Sequence, residues 1–287
     1  MIPRDFIYCK TDTLKEAAEA YKAYTKDGKR VYYYGGGSEI ITMSRAGSIC
    51  PDVVIDYKAI PECRVLEYDR KYLILGAALS LTAIKDSKCF HLLGNACGRV
   101  ADHTNQCRIT LGGNLCGSIR YRECSLPLLV SDAKLLIASG KRTRTVPFGD
   151  IFHERIHLKP GELVVQALVP ISALSAPFAH IKKAPGEKID FPLVNVTAMV
   201  FRNKLRVAFS GLCEFPFRDA KMEAALNARR KSIPERVQAA IKHLPAKPVT
   251  DAEGSGAYRL FILERTLTDL LSAWKNGSLE GEAHESI

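Results

Sequence analysis

The nine cysteines of the chain, at positions 9, 50, 63, 89, 97, 107, 116, 124 and 213, include no Cys-x-x-Cys pair. No Cys/His spacing suits zinc and no four-cysteine run suits an iron–sulfur cluster, so no metal site is expected. Scattered thiols of this kind fit a reducing cytoplasm. Long hydrophobic runs are missing too. Nothing approaches the roughly 20 apolar residues of a spanning helix, and the opening MIPRDFIYCK has no signal-peptide core. Neither the Gly-x-Gly-x-x-Gly fingerprint nor the Gly-x4-Gly-Lys-Ser/Thr loop occurs, which disfavours nicotinamide-binding Rossmann domains and P-loop NTPases. The seven histidines are dispersed, without triad or metal spacing. Basic runs are equally scarce, and Lys141-Arg142-Thr143-Arg144 reads as a hairpin tip. A net charge of +10, from 41 basic and 31 acidic residues, therefore suits an anionic ligand or an acidic protein partner better than nucleic acid.

What the sequence does contain is enough apolar material for a core and two glycine clusters. At 287 residues and 47% hydrophobic content, it can build two or three packed units. Residues 33–41 read YYGGGSEII, a triple glycine straight after an apolar, aromatic run. Residues 110–114 read TLGGN, followed by a polar run with Arg120 and Arg122 and then by the apolar Leu126-Pro127-Leu128-Leu129-Val130. Each cluster alone reads first as a tight turn that needs a glycine. Together, two glycine turns that each leave a β-like run suggest two backbone cradles for one pyrophosphate-containing ligand, since exposed amides make anion-binding concavities.

The pair resembles the FAD-binding medium subunit of the molybdenum hydroxylases, the xanthine dehydrogenase and carbon monoxide dehydrogenase family. There the first loop reads approximately Ala-Gly-Gly-Thr-Asp/Glu and the second Thr-Ile/Leu-Gly-Gly-Asn. Here they read Gly35-Gly36-Gly37-Ser38-Glu39 and Thr110-Leu111-Gly112-Gly113-Asn114. The similarity continues through Leu126-Pro127-Leu128-Leu129, Asp132-Ala133, Gly161-Glu162-Leu163-Val164, and Lys182 with Asp190 eight residues on, so it covers essentially the whole chain. One run departs. Where the family has Ser-Pro-x-Ser-Asp, with its Asp near the cofactor ribose, this chain has Ile119-Arg120-Tyr121-Arg122-Glu123, which changes the local charge.

The resemblance implies an α+β fold: a two-part FAD-binding domain of the vanillyl-alcohol-oxidase/xanthine-dehydrogenase type, followed by a small antiparallel sheet with helices. It implies FAD as cofactor, a molybdopterin-binding large subunit and a [2Fe-2S] small subunit as partners, and an external electron acceptor. Carried over residue by residue, the first loop with its flanks (Tyr34, Gly35, Gly36, Gly37, Ser38, Glu39 and Ile40) would hold the pyrophosphate, with Glu39 orienting the loop. Thr110, Gly112, Gly113 and Asn114 would form the second cradle. Ala101, Leu163 and Val164 would wall the cofactor, Glu123 would accept from its hydroxyls, and Lys182 would stand near the isoalloxazine. No side chain is expected to act as nucleophile or metal ligand. Two other readings stay open: a free-standing flavoprotein of the same fold, and a non-catalytic homologue that has lost flavin.

In chain order, the pattern predicts a strand at 6–8 and a helix opened by a Thr13/Glu16 capping box, with Leu14, Ala17, Ala18 and Tyr21 on its apolar face. Strands follow at 31–34 and 53–56, then a hairpin of 64–67 with 72–76. Helices are expected from Leu81, over about 91–101, and at 126–130, with a strand pair at 134–138 and 143–146 and a strand at 162–168. Ser172–Pro177 reads as a linker, giving expected domains of 1–57, 58–171 and 177–280. Beyond it, strands at 178–183, 195–202 and 204–212 turn at Asn203. Helices follow at 219–228, 234–242 and 258–274, the last burying Ile262, Leu267, Leu270, Leu271 and Trp274. The tail GSLEGEAHESI is expected to fray.

Overall fold

The computed structural model describes residues 2–187 and 189–279, so most of the tail expected to fray lies outside the described residues. The chain forms two compact units. The first gathers the chain up to Ser87, Asp102–Gly117 and Asp132–Ile171; the second gathers Lys88–Ala101, Ser118–Ser131 and the chain from Ser172 on.

The first unit opens with a parallel sheet of three strands, in the order Ile7–Lys10, Val53–Asp56, Val31–Tyr34. Val53, Val54 and Ile55 are fully buried, as a central parallel strand covered on both faces requires. Helix Leu14–Lys26 connects the two outer strands, so the expected β-α-β unit closes around a third strand rather than pairing its own two. Its capping box is displaced by one residue. Thr13 accepts from the Glu16 N–H, but the Glu16 carboxylate takes the N–H of Asp12 instead of that of Thr13. The carboxyl ends of the strands, Lys10, Asp56 and Tyr34, share one edge of the sheet. That is the edge from which crossovers and ligand loops leave an open parallel sheet.

A second sheet in the same unit is antiparallel, in the order Leu66–Tyr68, Tyr72–Gly76, Leu163–Pro170, Lys134–Ser139, Arg142–Pro147. The short helix Leu111–Cys116 packs against its central strand. Here the structure corrects the sequence reading. The paired glycine does not sit in a turn leaving a strand but in the first turn of this helix, with Thr110 as N-cap. Only Thr110 itself pairs, through an isolated bridge to Ser80.

The second unit is built on an antiparallel sheet in the order Phe178–Lys183, Val194–Phe201, Lys204–Ser210, Phe217–Arg218. The hairpin between the second and third of these strands turns through Arg202 and Asn203, both left-handed at φ 50° and 61°. One face, with Val194, Val196, Ala198, Val207 and Phe209, packs on helices Ala220–Leu226, Ile233–Ile241 and Gly256–Lys275. Ile262 is only partly buried in the last of these, and its neighbours Leu263 and Arg259 go inside instead. The other face meets helices His91–Cys97 and Ser125–Val130. The first of those helices stops at Cys97, four residues short of Ala101, and Ala101 itself is left-handed at φ 50°. Among the described residues, no helix is long and apolar enough to cross a membrane.

Candidate functional site

The strand Val31–Tyr34 delivers Gly35, Gly36 and Gly37 to the carboxyl edge of the parallel sheet, and helix Ser38–Arg45 starts directly after them. Gly37 is the N-cap, at φ 75°, a conformation that strains any residue with a Cβ. No side chain caps this helix. Its first-turn amides have no acceptor inside the helix, and Ile41 is the first to reach back, to the Gly37 carbonyl at 2.9 Å. The helix dipole adds positive potential at the same end, so the loop suits a phosphate. Gly36 is required for a different reason. A Cβ there would fall on the carbonyl oxygen of Arg108, so the loop can seat only if this residue is bare. Glu39, in the first turn, brings its carboxylate beside Gly117, at the end of the second motif. Tyr34 and Ile40 flank the loop and are half-buried.

The second motif packs into the same unit as the first. The Leu111 N–H donates to Leu79 (2.9 Å), Gly112 to Ala77 (2.8 Å), Gly113 to Thr110 Oγ1 (3.1 Å) and Asn114 to the Thr110 carbonyl (2.8 Å). These four amides thus already have acceptors inside the fold. The absence of a side chain at Gly112 lets the helix lie against Ala77, and a Cβ at Gly35 would stand 2.5 Å from Thr110 Oγ1. The Thr110 hydroxyl also meets the hydroxyl of Tyr57, whose pKa burial pushes well above the ordinary tyrosine value. Leu163 and Val164 are buried inside the antiparallel sheet, where an apolar residue is needed whatever the ligand.

The remaining expected site residues lie in the second unit. Lys182 and Glu123 find each other there. The ammonium sits 3.0 Å from Glu123 Oε1 and donates to the Arg99 carbonyl at 2.6 Å, and the two side chains are only 3% and 6% exposed. Lys182 is therefore a buried, paired lysine. Burial pushes the Glu123 carboxyl above its ordinary range, opposed by the Lys182 charge and by hydrogen bonds from Lys182 and Asn195. The departing run is absorbed by this unit as well. Arg120 pairs with Asp251 at 3.3 Å and Glu214 at 3.6 Å, Tyr121 stacks on Phe191 at 4.5 Å, and Arg122 is buried. The charge change expected at Arg120 is thus largely neutralised within the fold.

Sequence reasoning missed three residues beneath the first loop. Lys58 donates to the Gly35 carbonyl at 3.0 Å and to Asp56 Oδ2 at 2.5 Å, and the Tyr8 hydroxyl donates to the same carboxylate oxygen. The available signal was the position of Asp56, which closes the central parallel strand at its carboxyl end, level with Tyr34 before the loop; Lys58, two residues beyond, carries no such mark. Among the described residues, no group of three or more His, Cys, Asp or Glu could hold a metal ion.

A glycine loop at the carboxyl edge of a small parallel sheet, an adjoining antiparallel sheet and a second α+β unit define an FAD-binding subunit architecture. Carbon monoxide dehydrogenase from Hydrogenophaga pseudoflava contains a chain of this fold, 22% identical, with a TM-score of 0.84 over 96% of this chain and 99% of that one. Quinoline 2-oxidoreductase from Pseudomonas putida 86 gives 20% identity and a TM-score of 0.83 over the same shares. The chain belongs to the family described as FAD binding domain in molybdopterin dehydrogenase, which matches residues 4–172. It is similar to the nicotine 6-hydroxylase medium subunit of Paenarthrobacter nicotinovorans, at 26% identity over 81% of this chain and 85% of that protein. It is also similar to caffeine dehydrogenase subunit beta of a Pseudomonas species, at 24% identity over 60% of this chain and 59% of that protein. The chain is therefore an FAD-binding oxidoreductase subunit of the molybdenum hydroxylase type.

Proposed function

We propose that this chain is the flavin relay of a multi-subunit hydroxylase, receiving electrons from a [2Fe-2S] partner subunit and passing them to an external acceptor. The observation that carries the reading is the N-terminus of helix Ser38–Arg45, which no side chain caps, behind a loop that tolerates no Cβ at Gly36. Such a turn holds an anion through backbone amides, and the pyrophosphate is the anionic part of FAD. Gly36, Gly37 and the first residues of the helix would take that group, and the Ser38 hydroxyl would add a side-chain donor. Thr110, Gly112, Gly113 and Asn114 hold the loop in place from behind. When bound, the isoalloxazine supplies the two-electron redox chemistry of the relay.

The protein then has to bind, orient and shield, and its side chains need move no proton. The oxidised substrate would be chosen in the partner that carries molybdopterin, so this chain sets none of that specificity. Relatives named as medium or beta subunits support the assembly, and the excess of 41 basic over 31 acidic residues suits docking to acidic partners. The test is the visible absorption spectrum of the purified chain before and after incubation with excess FAD. Flavin bands retained through gel filtration are expected. Absence of retained flavin in both samples would sink the reading for the isolated chain and favour the homologue that has lost its cofactor.

A further inference from the structure

Lys58 is held far more tightly than a lysine with 41% of its side chain exposed needs to be. Its ammonium donates to the Gly35 carbonyl at 3.0 Å and to Asp56 Oδ2 at 2.5 Å, and stands 4.9 Å from the centre of the Tyr34 ring. Its own backbone N–H donates to Asp56 Oδ1 at 2.9 Å. Tyr8 reaches across from the neighbouring strand to the same carboxylate. Burial alone would push the Asp56 carboxyl up, but the hydrogen bonds from Lys58 and Tyr8 more than reverse this, and the Tyr8 hydroxyl is pushed up to about 12. The carboxylate stays charged and keeps the ammonium on Gly35.

That single contact has a consequence for the loop. The Gly35 carbonyl and the Gly36 N–H belong to one planar trans peptide and point in opposite directions. Anchoring the carbonyl on Lys58 therefore turns the Gly36 N–H away from Lys58. A cation on the carbonyl also polarises the peptide and strengthens its N–H as a donor. A glycine triplet has no side chains to fix this plane, and free rotation there would cost binding entropy.

We infer that Lys58 is a positioning residue for the pyrophosphate loop, locked by Asp56 and Tyr8, and that it sets the peptide plane on which FAD affinity depends. This rests on the reading that the loop holds the FAD pyrophosphate. The test uses the full chain stripped of flavin, titrated calorimetrically with FAD, with ADP as a pyrophosphate probe lacking isoalloxazine, and with riboflavin as an isoalloxazine probe lacking phosphate. In Lys58→Met, affinity for FAD and ADP should fall about tenfold, the scale of a lost charge-assisted hydrogen bond. Riboflavin affinity should be unchanged, and Lys58→Arg should recover most of the loss. If Lys58→Met matches the wild type for ADP, the inference is overturned while the FAD reading stands. Equal losses for ADP and riboflavin, with no recovery in the arginine variant, would overturn it in favour of a general folding role. A wild-type chain that binds neither FAD nor ADP would overturn both.

Discussion

At the scale of single residues, the site is defined by what is missing at Gly36. The backbone of the first loop lies on the Arg108 carbonyl, and no rotamer can relieve a Cβ there because the obstacle is main chain. Gly36→Ala should cost about 1–3 kcal/mol of stability by overpacking and abolish flavin retention through gel filtration. Gly149→Ala, at a glycine with open space around it, is the matched control and should keep its flavin. An alanine at position 36 that retained flavin normally would show that the loop is free to move off Arg108. The buried pair makes a second prediction. Lys182→Met leaves the Glu123 carboxylate buried without its cation, which should cost about 3–5 kcal/mol at neutral pH, whereas the double variant Lys182→Met/Glu123→Leu should recover most of it. The loss should shrink as pH falls. Burial already holds the Glu123 pKa above the ordinary carboxylate value, so between that value and the raised one the native state binds the extra proton and gains stability on acidification. Urea unfolding of the three proteins across that pH range is the measurement. The glycine motifs were legible in sequence because backbone constraints leave only one residue type. Lys58 was not, since a lysine after a strand carries no mark of what it bonds.

At the scale of elements, the sheet of the second unit has one apolar face and one polar face. The polar face carries His180 opposite Thr197, and Lys182, Asn195 and Ser210 aligned across three strands. His180 is fully enclosed, with Nδ1 2.9 Å from Thr197 Oγ1. Burial, then the charges of Arg99 and Lys182, pull its pKa from 6.5 down to about 3. The native state therefore keeps this ring neutral while the unfolded chain protonates it. Its contribution is intact above pH 6.5 and is lost progressively as pH falls toward 3, by an amount on the order of a few kcal/mol. His180→Gln cannot titrate, so the stability difference between wild type and variant should be constant above about pH 7 and narrow or reverse below it. A difference independent of pH from 7 to 4 would mean that the ring is reached by water. Strands and helices were largely readable from alternation and helical spacing, down to the turn at Asn203. The two failures differ in cause. The helix holding Gly112 and Gly113 is set by its bonds to Leu79 and Ala77, which outweigh the weak helix propensity of glycine, whereas the helix from His91 stops at Cys97 because Gly98 caps it.

At the scale of the whole molecule, the chain passes between its units at Ser87/Lys88, Ala101/Asp102, Gly117/Ser118, Ser131/Asp132 and Ile171/Ser172. Lys88, Ala101 and Asp132 beside these crossings are all left-handed, at φ 53°, 50° and 53°, a conformation that costs a residue with a Cβ about 1 kcal/mol. The linker composition of Ser172–Pro177 is visible in the sequence, but the interleaving is not, because packing between segments far apart in the chain leaves no local mark. The family match at residues 4–172 therefore does not bound a structural unit. Helices His91–Cys97 and Ser125–Val130 fall inside it, yet they pack on strands that begin at Phe178 and Val194. Cutting the chain after residue 172 would uncover Leu92, Leu93, Leu126 and Leu128, each of which is fully buried. At about 25 cal/mol per Å2 of apolar surface, exposing these side chains removes several kcal/mol, comparable to the whole stability of a domain. The piece should therefore bind dyes specific for exposed apolar surface and elute as aggregate. Adding FAD should not rescue it, because a ligand stabilises only a fold that forms. A monodisperse, flavin-retaining piece would show instead that the two helices can be covered without the second sheet.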